Sequence, residues 1–78
     1  MSAFLLILTV CGSLHTGGFG CDEFVIDQEL SQVECLTTIK AIYNNQPTPA
    51  KAHMNDAIND WFVSVNTTKL ECIIEDKD

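Results

Sequence analysis

The stretch TVCGSLHTGGFGCD, Thr9 to Asp22, joins an uncharged beginning to a charged remainder, and its reading decides the fold. All 4 lysines and all 11 acidic side chains lie at or beyond Asp22. Upstream, Ala3-Phe4-Leu5-Leu6-Ile7-Leu8-Thr9-Val10-Cys11 is apolar except for Thr9. The run is too short for a transmembrane helix, which needs roughly 20 apolar residues, but it fits the about 7–15 of a secretory signal. It gives way to small residues, as signal cleavage requires. A cut after Gly20 puts Gly18 and Gly20 at the positions that must be small; a cut after Gly18 uses Thr16 and Gly18, and one after Gly12 uses Val10 and Gly12. Met1-Ser2-Ala3 supplies no basic side chain, a departure from the usual leader. The competing reading is a buried N-terminal strand or helix followed by a Gly-rich loop. We read residues 1–20 as a leader and 21–78 as one small acidic domain, which places the chain outside the cell.

The chain has a formal net charge of −7 and no arginine. Such a charge repels phosphate backbones and anionic lipid, which argues against nucleic acid as a partner and leaves a basic protein surface compatible. A domain this small needs disulfides, metal or oligomerisation to supplement its core. Beyond the leader lie Cys21, Cys35 and Cys72, an odd number, so one thiol is left free or joins another chain, a route to a homodimer. In an antiparallel helical hairpin the positions of Cys21 and Cys72 fall near the same end, which favours a bridge between them and leaves Cys35 over.

That hairpin is the predicted fold: mainly α, stapled by a disulfide. Thr48-Pro49 opens the clearer helix, with Thr as N-cap and Pro at the first helical position. From Ala50, the residues Met54, Ala57, Ile58, Trp61, Phe62 and Val65 fall on one arc of about 140° at 100° per residue. Upstream, Ile26 to Tyr43 carries Leu30, Val33, Leu36, Ile39 and Ile42 at steps of three and reads as a helix with a broad apolar surface. Asn44-Asn45-Gln46-Pro47 breaks the pattern, since Asn tolerates the left-handed conformation and Pro blocks continuation. The tail from Asn66 to Ile74 is open to two readings. Thr68 and Glu71 suggest a capped short helix, whereas Leu70, Cys72 and Ile74 alternate as in a strand. The chain closes on the charged Glu75-Asp76-Lys77-Asp78.

Few motifs carry chemistry. Asn66-Thr67-Thr68 matches the N-glycosylation acceptor pattern. His53 is the one imidazole beyond the leader and has no Ser or Cys placed beside it as a nucleophile. The cysteines lack the close spacing of a zinc site, and no loop of alternating acids with a central Gly suits calcium. We expect no cofactor, no metal and no enzymatic activity. The apolar arc Met54, Ile58, Trp61, Phe62 and Val65 is the candidate interaction face, although large aromatics at helical spacing usually pack into a core. In size and class, with no shared motif, the expected domain is similar to the secretoglobins, which are helical disulfide-linked dimers. That resemblance implies the alternative function, a carrier of small apolar ligands; the first expectation is an effector or signalling peptide acting through protein contact.

Overall fold

The computed structural model describes residues 3–75. Of these residues, strand makes up 52% and helix 34%, which overturns the mainly helical expectation. Strand β1 (Ala3–Leu14) runs into β2 (Phe19–Leu30); helices α1 (Gln32–Tyr43) and α2 (Pro49–Trp61) follow, and β3 (Phe62–Glu75) closes the fold. The sheet is antiparallel in the order β2-β1-β3. The stretch expected as a leader therefore forms the central strand. Its apolar run, interrupted only by Thr9, suits that place, because a central strand has neighbours on both sides and here buries side chains on both faces.

Residues 15–18 turn β1 into β2. Gly17 and Gly18 have φ of 100° and 81°, a region that L side chains rarely occupy. The turn is closed by Gly17 N donating to Leu14 O (3.0 Å) and Leu14 N donating to Gly18 O (3.0 Å). His15 ties it to the end of α2: its backbone N donates to Trp61 O at 3.1 Å, and its Nε2 lies 2.9 Å from Asn59 O. Further along β1, a Cβ on Gly12 would lie 2.2 Å from Ser64 O of β3. The close approach of the two strands at this point depends on glycine.

The expected helix over Ile26–Tyr43 is half correct. Its first residues belong to β2, which ends at Glu29 (φ 56°) and Leu30. Ser31 then caps α1 reciprocally with Glu34. Glu34 N donates to Ser31 Oγ at 3.1 Å, and Ser31 N donates to Glu34 Oε1 at 3.0 Å. These bonds satisfy donors that a helix start otherwise leaves open. The second helix starts where Thr48-Pro49 predicts it, with Lys51 N donating to Thr48 Oγ1 at 3.0 Å. Asn44 ends α1 and Asn45 takes φ 60°. Beyond Trp61 the helical arc breaks, because Phe62 turns extended and begins β3. The tail is strand. Residues 76–78 of the expected charged end lie outside the described residues.

Both helices cover one face of the sheet. Leu6, Leu8 and Val10 of β1, fully buried, pack there with Ile26, Cys35, Ile42, Ala50 and Phe62; Met54, Ile58, Leu70 and Cys72 add partly buried contacts. Two disulfides close within the chain, Cys11–Cys21 and Cys35–Cys72. The expected Cys21–Cys72 bridge is thus corrected. Cys21 lies directly opposite Cys11 in the strand register, while α1 lays Cys35 over the strand that carries Cys72. With all four cysteines paired, the odd thiol on which the covalent dimer rested is gone.

Candidate functional site

The two faces of the sheet differ, and the site candidate is the face without helices. Directly opposed residues in antiparallel strands share a face, so register assigns the side chains. On β1, Leu6 and Leu8 point towards the helices; Leu5, Ile7, Thr9 and Cys11 point the other way. Leu5 is opposite Ile73 of β3, and Ile7 lies between Glu71 of β3 and Val25 of β2. Thr9 lies between Lys69 and Glu23, and Ala3 faces Glu75. Ile7 is only 7% exposed yet stands outside the helix-covered core cluster. Its neighbours on this second face bury it.

The open face therefore has an apolar centre of Leu5, Ile7, Val25 and Ile73, with Val25 57% and Ile73 40% exposed. Around it, among the described residues, stand Glu23, Glu71 and Glu75, against one cation, Lys69. That cation is already engaged, with Lys69 Nζ 3.8 Å from Glu71 Oε2. Glu75 Oε2 is buried and has no hydrogen-bond partner among the described residues. The Cys11–Cys21 bridge flanks the patch towards the turn. Beside Val25, the edge of the sheet opens into a concavity of about 370 Å³ lined by Val25, Ile26, Asp27 and Gln28.

The expected interaction face is divided between two environments. Met54 and Ile58 pack against the core, and Phe62 is buried at the junction of α2 and β3. Trp61, 52% exposed, and Val65 stay at the surface. On α1, Val33, Leu36 and Tyr43 form a second exposed apolar stripe, the outer part of the broad surface expected for that helix. Asn66 is exposed on β3 where the register slips between Thr67 and Val65, which leaves it as an extra residue on a free strand edge. Among the described residues, no three metal-ligating side chains gather, and no helix is long and apolar enough to cross a membrane.

Sequence reasoning missed Cys11 and the whole open face because both depend on residues assigned to the leader. The signals were present. Gly17-Gly18 between two apolar runs is a hairpin turn signal, and Ser31-Gln32-Val33-Glu34 is a capping-box pattern that marks a helix start at Gln32. Fold and site together define a small disulfide-bridged α+β domain with two helices on one face of a three-stranded sheet. Searches with this chain match no family model, no curated protein and no solved structure.

Proposed function

We propose that the chain is a small extracellular, non-enzymatic protein that acts by contact with a protein partner, as an effector or signalling peptide. The supporting observation is apolar surface left uncovered on a tightly bridged fold, since exposed apolar patches with polar rims commonly mark interaction sites. Two disulfides in so small a domain fit an extracellular location. Export with residues 3–14 retained would keep both disulfides and the open face, and the exposed Asn66 would then meet the glycosylation machinery. Cleavage after Gly18 or Gly20 would instead remove β1 and Cys11, so the sequence of the extracellular product's N-terminus identifies the acting chain.

The test is a binding screen of the oxidised, purified protein against extracellular receptor domains. Saturable binding to one domain supports the reading. Native mass spectrometry of the secreted material supplies the opposing result: a co-purifying lipid or steroid would favour the carrier function. Turnover of a substrate by exhaustively purified protein would overturn both.

A further inference from the structure

We propose that the helix-free face of the sheet is the docking surface, and that its occupant is a cationic amphipathic helix of the partner. The inference rests on the protein-contact reading above and assigns it a place and a chemistry. Leu5, Ile7, Val25 and Ile73 form an apolar strip across all three strands. An occupant must therefore present an apolar stripe, which an amphipathic helix does at spacings of three and four residues.

Charge selects the sign of its flanks. Glu71 and Glu75 stand on the β3 side of the strip and Glu23 on the β2 side, so lysine or arginine flanking the helix's apolar stripe would meet carboxylates at both margins. Lys69 offsets one of these charges by pairing with Glu71, and Glu23 and Glu75 leave the face acidic on both sides of the strip. Glu75, whose Oε2 has no hydrogen-bond partner among the described residues, adds its charge to that margin. The same charges disfavour a second copy of this chain. Face-to-face pairing would bring together two molecules of net charge −7 and oppose acidic rims, and like charges across an interface cost affinity. The apolar stripe on α1 offers no comparable selection, since it lies on the same stretch of helix as Lys40.

The probe is a synthetic helix of leucine and lysine, about five turns long, compared with its leucine–glutamate counterpart by calorimetry on the oxidised full chain. The lysine helix is expected to bind and the glutamate helix to fail. The double variant Val25→Lys with Ile73→Lys, checked for retained sheet by circular dichroism, is expected to weaken binding about tenfold or more. Because that variant could unfold, amide shifts on the unmodified protein provide the second readout: they should concentrate at Leu5, Ile7, Val25 and Ile73. Equal binding of both helices, no binding, shifts centred on Val33 and Leu36, or self-association that hides this face would each overturn the proposal. A receptor domain that binds the double variant undiminished would sink the docking face while leaving the protein-contact reading intact.

Discussion

The two faces of one strand, β1, behave as different materials. Leu6, Leu8 and Val10 are sealed beneath two helices, and the disulfide on their side joins positions 37 residues apart. Leu5, Ile7 and Thr9 have only sheet neighbours, and the disulfide on their side joins positions 10 apart, next to a turn that already holds them together. The first face is built from contacts distant in sequence and holds the fold. The second is built from sheet pairing alone, with no helix over it, and leaves Val25 and Ile73 exposed. A protein of this size has few residues to spare, so one strand serves both purposes.

The sharpest way to break that contrast is to remove the bridges separately. Loop-closure entropy gives about 4 kcal/mol for the long loop and about 3 kcal/mol for the short one. Replacing Cys35 and Cys72 together by serine should therefore lower stability more than replacing Cys11 and Cys21, as read in urea titrations. The gap should exceed the entropic difference, because Cys35 is fully buried in the core and a serine there adds an unsatisfied hydroxyl. Equal losses would mean that the helices contribute little to holding the sheet.

Side chains on the two faces give the next contrast. Leu8→Ala on the covered face should cost roughly 3 kcal/mol, within the usual range for a large-to-small core substitution. Val25→Thr on the open face should stay within about 0.5 kcal/mol. Gly12→Ala should fall between them, at about 1–3 kcal/mol, because the new methyl would press on the β3 backbone at Ser64 O. Thermal unfolding of the three variants ranks them directly.

The smallest effect lies at the start of α1. Hydrogen bonding to the Ser31 backbone, followed by that to its side chain, holds Glu34 below its ordinary value of 4.5. A lowered folded-state value means the carboxylate's contribution is present above 4.5 and is lost as pH falls through the folded value. The stability of the native protein should therefore decline slightly more on acidification than that of Glu34→Gln, in matched urea series. Identical pH dependence would show that the cap does not distinguish charge.

How much of this was legible in the sequence follows the same division between local and distant. Thr48-Pro49 fixes its helix start because a cap is made by residues three apart. Asn45 takes the left-handed conformation for similarly local reasons. The alternation of Leu70, Cys72 and Ile74 was one of two open readings, and the strand won because β1 supplies a partner. Ile26 misled: the apolar steps from Leu30 to Ile42 extrapolate smoothly backwards, across the Ser31–Glu34 box that marks the true helix start. The deepest ambiguity is chemical. A leader and a central strand both need a short apolar run, and a cleavage region and a tight hairpin both need small residues. What makes the run a strand in the fold is pairing, and that of Ala3 with Glu75 spans nearly the whole chain, beyond the reach of any local pattern. The open face inherited that ambiguity, since half its apolar centre lies in the disputed run.

The central claim is that residues 3–14 remain as the middle strand, and intact mass with N-terminal sequencing of the protein as produced by cells tests it most directly. The account predicts that Cys11 is present and, on peptide mapping under non-reducing conditions, bonded to Cys21, with Cys35 bonded to Cys72. A product beginning at Phe19 or Cys21 would contradict it: the sheet would lack its centre, Cys21 would be left without Cys11, and the small acidic remainder would have to fold by other contacts.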